Sequence, residues 1–162
     1  MCDADGKCGT CSVSASIPGG GKILNYNIRK NGFGIVYSFA EFPSFVYSAG
    51  IQENLRHPEL IVVGLDYDLS TLLITETVNL IKRGASFTDQ ACHYRIGNMN
   101  VMFLEASTNC AKQYMPETTA YYGDKKIGVL QIVWSDKQGY FPFDPQCSDE
   151  VKRTQRVLAQ NS

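Results

Sequence analysis

A chain of 162 residues with 44% hydrophobic, 11% aromatic and 19% charged side chains can bury one core and is too apolar to be disordered. Its net charge of -1 excludes the global basic field on which non-specific nucleic-acid binding depends. No apolar run approaches the roughly 18 residues of a membrane span.

Residues 1–22 form an arm rich in Cys, Gly, Ser and Asp, ending in the breaker Pro18-Gly19-Gly20-Gly21. A globular domain follows over 23–147, and 148–162 reads as a polar C-terminal tail. Ile23, Leu24 and Ile28 recur at helical spacing before Asn31-Gly32, which predicts a short helix over Ile23–Lys30. Phe33–Phe39 and Phe45–Gly50 read as strands around a turn at Glu41–Ser44. Glu59–Leu65 is a continuous apolar run of strand length, the pattern of a strand covered on both faces. Asp66 or Asp68 then caps a helix over Leu69–Arg83, with Gly84 at its end. Leu69, Leu72, Leu73, Leu80 and Ile81 form its expected buried stripe, widened by Ile74 and Val78.

Met99–Glu105 and Ile127–Trp134 are two further strands. Between them lies a helix over Ala111–Tyr122, in which Pro116 sits in the first turn or breaks it. The chain turns again at Asp136–Gly139 and runs extended through Tyr140–Pro145. Strands and helices out of strict alternation predict an α+β fold, a single compact domain with a mostly antiparallel or mixed sheet of about five strands and two to three helices. A small β-barrel-like core with helical additions is the alternative. The expected core joins Ile61, Val63, Leu72, Leu73, Val101, Phe103, Leu130 and Ile132.

Four segments, in this order and spacing, resemble a known family. They are Phe45-Val-Tyr-Ser-Ala-Gly50, His57-Pro-Glu-Leu-Ile-Val-Val-Gly64, Ala120-Tyr-Tyr-Gly123, and Leu130-Gln-Ile-Val-Trp-Ser-Asp136 with Gly139-Tyr-Phe-Pro-Phe-Asp144. Together they are similar to the bacterial domain-of-unknown-function family 4262, over about residues 23–159. The stretch from Leu130 with its Phe-Pro-Phe-Asp continuation is the most specific part. Phe143 stands where the family leads one to expect Trp, and Arg156 where it leads one to expect Pro. The resemblance implies no activity.

Six cysteines are many for a chain whose start, Met1–Thr10, lacks the apolar core of a secretory signal. The expectation is a cytoplasmic protein with free or metal-bound thiols. Cys8-x2-Cys11 is a half-site for zinc, with Cys2 as a third ligand and Cys147, Cys92, His93 or Cys110 folding back as a fourth. Zinc is thus a possible cofactor. The same cysteines also read as unliganded thiols or as a redox pair, although a redox motif belongs at a helix start after a strand and this one lies in a polar arm; the spacing misses the plant-type iron–sulfur run.

His57-Pro58-Glu59 offers a His beside a carboxylate, either an acid–base pair or local loop anchoring. Ser48, His57 and Asp136 make a triad on paper, without the Gly-x-Ser-x-Gly elbow that would support it. Cys92 and His93, as sequence neighbours on a strand, would face opposite ways. Gln131 in an apolar strand faces a pocket or is fully paired, because an orphaned buried amide costs about 1–3 kcal/mol. With Tyr47, Trp134 and Tyr121 it makes a candidate ligand-binding set, while Tyr140, Phe141 and Phe143 form a lid or a groove.

Gly19-Gly20-Gly21-Lys22 lacks the spacing of a phosphate loop, so no nucleotide cofactor is expected. Lys125-Lys126 and Lys152-Arg153 are too small for a nucleic-acid footprint. The leading expectation is a ligand- or protein-binding module without an autonomous catalytic centre. Its rivals are a small-molecule hydrolase or transferase with a site near His57, Glu59 and Asp136, and a zinc-organised interaction module. The aromatic stretch Tyr140–Phe143 also offers a surface for a homodimer.

Overall fold

A computed structural model of the chain describes residues 20–38, 42–87 and 92–159. Helix α1 (Gly20–Asn31) stops at Gly32, whose φ of 87° is the left-handed turn expected after Asn31. Strands β1 (Gly34–Ser38) and β2 (Phe45–Ala49) pair antiparallel, with Gly34 opposite Ala49 and Ser38 opposite Phe45. A short helix α2 (Ile51–Leu55) leads into β3 (Glu59–Val63). Helix α3 (Tyr67–Lys82) is capped by Asp66, whose side chain accepts from the Leu69 N–H. Strands β4 (Tyr94–Ile96) and β5 (Met99–Glu105) form a hairpin. Helices α4 (Cys110–Tyr114) and α5 (Pro116–Tyr122) precede β6 (Val129–Trp134), and α6 (Asp149–Thr154) follows it.

The six strands form one open sheet in the order β1-β2-β3-β6-β5-β4. Among the described strands only β3 and β6 run parallel, with Glu59 opposite Val129 and Ile61 opposite Gln131; every other described pair is antiparallel. These two central strands are buried at every position, which is why both read as near-continuous apolar runs. The fold is α+β with one mixed sheet whose outer described strands are β1 and β4, and the closed-barrel alternative is excluded. Among the described residues, no helix is long and apolar enough to cross a membrane.

Two cores flank the sheet. On one face Ile35, Val46, Leu60, Val62, Val101, Phe103, Leu130 and Ile132 pack against Leu73, Ile74, Val78 and Ile81 of α3. On the other, Val36, Tyr47, Ile61, Val63 and Val129 pack against Leu24 and Ile28 of α1, Cys110 and Ala111 of α4, and Met115. The expected single core therefore divides: Ile61 and Val63 point away from α3, because neighbouring strand residues face opposite sides.

Leu72 corrects the sequence reading more directly. It is 41% exposed, and Leu69 is 37% exposed, whereas the buried stripe of α3 is Ser70, Leu73, Ile74, Thr77, Val78 and Ile81. Leucine content drew the expected stripe to the wrong flank of the helix; the true stripe keeps strict i, i+3, i+4 spacing through two polar residues. The helix expected over Ala111–Tyr122 is two helices, because Pro116 starts α5 and Met115 between them leaves helical backbone. Strand β4 and helices α2 and α6 have three to six residues, too few for a periodic signal.

The segment beyond Cys147 is polar in sequence and docked in structure. Ser148 caps α6, the chain then runs extended, and Ala159 bridges to Ala106 at the end of β5. Gly64 makes this docking possible. Its φ is 83°, and a Cβ there would collide with the backbone carbonyl of Thr154.

Candidate functional site

Glu59 opens β3 and is wholly buried. Its Oε1 accepts from the Gly50 and Gln52 N–H groups, each at 3.0 Å, and from the Tyr122 hydroxyl. Its Oε2 lies 2.5 Å from the Ser48 hydroxyl, which in turn accepts from the Leu60 N–H at 2.9 Å. No cation balances it among these contacts. Burial pushes the Glu59 carboxyl above its ordinary range, against the pull of Ser48, Tyr122 and the two backbone donors. The same burial, with the Glu59 charge beside it, raises the Tyr122 hydroxyl. The carboxyl thus ties β2, the start of α2 and the end of α5 to one point.

His57 is buried two residues earlier and serves a different segment. Its Nδ1–H donates to the Pro58 carbonyl at 2.9 Å, and its Nε2 accepts from the Phe87 N–H at 3.2 Å. These partners assign the neutral tautomer with the proton on Nδ1. Burial lowers its pKa below the ordinary value, with the two backbone bonds opposing. Both ring nitrogens are spoken for.

Asp136 follows β6, at the opposite end of the parallel pair. Seven residues separate it from Val129, the partner of Glu59, which puts it roughly 20 Å from Glu59 along the strand direction. Its Oδ1 accepts from the Gln138 and Tyr140 N–H groups and its Oδ2 from the Ser148 N–H. Burial opposes ionisation here, yet the donors of Tyr140, Ser148 and Gln138 hold the carboxyl below the usual range. The structure does not bring His57, Glu59 and Asp136 together, and Ser48 bonds Glu59 rather than either of the others.

The residues expected to contact a ligand are dispersed as well. Tyr47 is fully buried and its hydroxyl donates to Glu117. Gln131 is fully buried and grips the terminal segment, donating to the Arg156 carbonyl at 2.8 Å and accepting from the Leu158 N–H at 2.6 Å. Tyr121 bonds Glu53 and lines a cleft of about 260 Å³ between α1 and α5, with its hydroxyl pKa pushed up to about 12 by burial and by Glu53. Trp134 donates through its indole N–H to the Val63 carbonyl at 2.9 Å and lines a different, larger cleft.

That larger cleft, about 500 Å³, opens where β3 and β6 end side by side. Leu65, Met99, Trp134 and Val151 supply apolar surface, while Asp66, Asp136, Lys137 and Glu150 add charged residues to the lining. The walls are tied by Gln155, which the sequence reading left unassigned. Its Oε1 accepts from the Trp134 N–H and its Nε2 donates to the Trp134 carbonyl, both at 2.8 Å, in place of a neighbouring strand. A Gln near the end of a polar segment carries no signal of this role; only the docked backbone creates the need.

Cys2, Cys8 and Cys11 lie outside the described residues. Of the proposed fourth ligands, Cys110 and Cys147 are buried and Cys92 is exposed, while His93 lies against the Phe141 ring. Among the described residues, no three His, Cys, Asp or Glu side chains are placed to hold a metal ion.

The family model for a domain of unknown function, DUF4262, matches residues 27–148. The chain belongs to the DUF4262 family. No curated protein and no solved structure matches it. The region matched to DUF4262 contains both central strands and the Trp134–Gln138 rim of the large cleft, and it ends where α6 begins to form the remaining wall.

Proposed function

We propose that this DUF4262 protein binds a small organic ligand in the cleft at the ends of β3 and β6. One observation carries the reading: the family-specific stretch that begins at Leu130 brings Trp134, Ser135 and Asp136 to the rim of this cleft of about 500 Å³, beside the parallel strand pair. In mixed and parallel sheets the carboxyl ends of adjacent parallel strands leave a crevice that neighbouring connections cannot fill. An apolar floor with a few polar groups at the rim is the ordinary make-up of a small-molecule site.

Three carboxylates against one ammonium in the lining favour a ligand with an apolar body and a cationic head; Asp66 and Asp136 spend oxygens on backbone N–H groups and so act through their charge. A catalytic reading has no comparable convergence to rest on, since His57, Glu59 and Asp136 each spend their polar atoms on separate backbone segments. The test is a fragment screen on the whole chain by amide chemical-shift mapping, comparing aromatic amines with aromatic carboxylates. Amines should shift residues 64–66, 134–138 and 148–151, and Met99→Trp should abolish the effect by filling the floor. Shifts that cluster elsewhere, or that survive Met99→Trp, would refute the site.

A further inference from the structure

A second cleft, about 380 Å³, lies at the other end of β6, between the start of α4 and the loop that follows α5. It is lined by Thr108, Asn109 and Lys112 on one side and by Asp124, Lys125 and Lys126 on the other. Three lysines and a single aspartate thus line it, on a chain whose net charge is only -1. Three lysines elsewhere in the fold use their charge internally. Lys82 donates to the Asn31 carbonyl and lies over Phe33, Lys152 donates to the Pro145 carbonyl, and Lys30 lies over the Tyr26 ring. Lys112, Lys125 and Lys126 make no such contact with their ammonium groups among the described residues, and all three are exposed.

The loop that carries two of them is held in place. Gln52 donates to the Lys126 carbonyl at 2.8 Å and accepts from the Gly128 N–H at 2.8 Å, clamping the backbone on both sides of Ile127. Thr119, on the wall of the same cleft, spends its hydroxyl on the Ala111 and Met115 carbonyls and so ties α5 to α4. The two sides of the cleft are therefore fixed relative to each other while its charged ends remain free. Holding like charges together on a rigid frame costs energy that a bound anion would offset.

We propose that this cleft binds a small ligand bearing a phosphate or diphosphate group. Lysine ammoniums act as point charges suited to a compact multivalent anion, whereas planar carboxylates are matched by the arginine fork, and no arginine lines the cleft. The volume accommodates such a group with part of an attached organic body. The Asn109 carboxamide, which makes no capping bond to α4, and the Thr108 hydroxyl add neutral hydrogen-bonding groups at the same mouth.

The experiment titrates the whole chain with inorganic pyrophosphate, orthophosphate and acetate at constant low ionic strength, read by amide chemical shifts and calorimetry. Saturable shifts confined to residues 108–112 and 123–127, with affinity in the order pyrophosphate, orthophosphate, acetate, are expected. A Lys112→Gln, Lys125→Gln, Lys126→Gln variant should bind pyrophosphate roughly tenfold more weakly or worse at low salt. Lys137→Gln, in the other cleft, should leave the affinity unchanged. Because the three lysines are exposed, a thermal melt within a few degrees of wild type should accompany the triple change. Shifts spread evenly over all surface lysines, equal affinity for acetate, or an undiminished triple variant would each overturn the proposal. None of these results bears on the cleft at the strand ends, whose test reads different residues and an opposite ligand charge.

Discussion

Replacing Glu59 tests whether its environment is built for a neutral carboxyl. Four donors converge on the side chain: the Gly50 and Gln52 N–H groups and the Tyr122 and Ser48 hydroxyls. Glu59→Ala removes their acceptor and leaves them buried without one. At about 1–3 kcal/mol for each orphaned group, the loss should reach about 4 kcal/mol or more. Glu59→Gln behaves differently. Its carbonyl oxygen takes the place of Oε1 and keeps three of the donors. Its amide then meets the Ser48 hydroxyl oxygen, which already accepts from the Leu60 N–H and has a second lone pair. Only the Ser48 hydroxyl proton must turn elsewhere. This is the arrangement a protonated Glu59 would adopt, donating from Oε2 to Ser48. Glu59→Gln should therefore lie within about 1 kcal/mol of wild type at pH 7, or exceed it.

The pH dependence has a definite sign. Burial raises the folded-state pKa of Glu59 above 4.5, so the folded chain holds this proton more tightly than the unfolded chain. Its contribution is greatest below pH 4.5 and is lost as pH rises from there through the folded value. Urea melts of wild type and Glu59→Gln at pH 4, 5.5 and 7 measure the difference. The variant should gain on wild type as pH rises. If Glu59→Gln lost more than about 2 kcal/mol at pH 7, the four donors would require a carboxylate and the reasoning would fail.

Three further outcomes follow from the same structure. His57 has its folded pKa lowered below 6.5, so its contribution is intact above pH 6.5 and lost as pH falls toward the folded value; His57→Gln should remove that part of the acid sensitivity in pH-stepped melts. Gly64→Ala forces a left-handed backbone and a Cβ onto the Thr154 carbonyl, so it should cost at least about 2 kcal/mol and expose the segment after α6 to limited proteolysis. Leu73→Ala should cost about 2–5 kcal/mol while Leu72→Ala, at 41% exposure, should stay within about 1 kcal/mol, and a reversed order in denaturant melts would put the wrong face of α3 on the sheet.

What the sequence made legible depended on whether a signal was local. The runs Glu59–Val63 and Val129–Trp134 announced the central strands because burial on both faces leaves no room for alternation. Asp66 and Gly84 marked the ends of α3 for equally local reasons, a side-chain cap and a left-handed turn. The parallel pairing of β3 with β6 had no such signature, and neither did the docking of residues 154–159. Both depend on partners 21 or more residues away. The same blindness affected the polar residues. His57, Glu59 and Asp136 could be singled out by type, but whether their atoms were free or spent depended on the N–H groups of Phe87, Gly50 and Ser148.

Three glutamines show why this distinction matters for finding a site in such a fold. Gln52, Gln131 and Gln155 each donate to one backbone carbonyl and accept from one backbone N–H of a distant segment. Each stands in for a missing strand neighbour where the ladder ends or where the chain crosses it. A carboxylate cannot donate and a lysine cannot accept, whereas an amide carries both functions on one planar group and so suits this pair of bonds. A buried Gln within an apolar strand is therefore accounted for by the backbone it holds. The binding surfaces are better sought where charged ends have no such backbone duty, as at the lysine-lined cleft whose loop Gln52 keeps in shape.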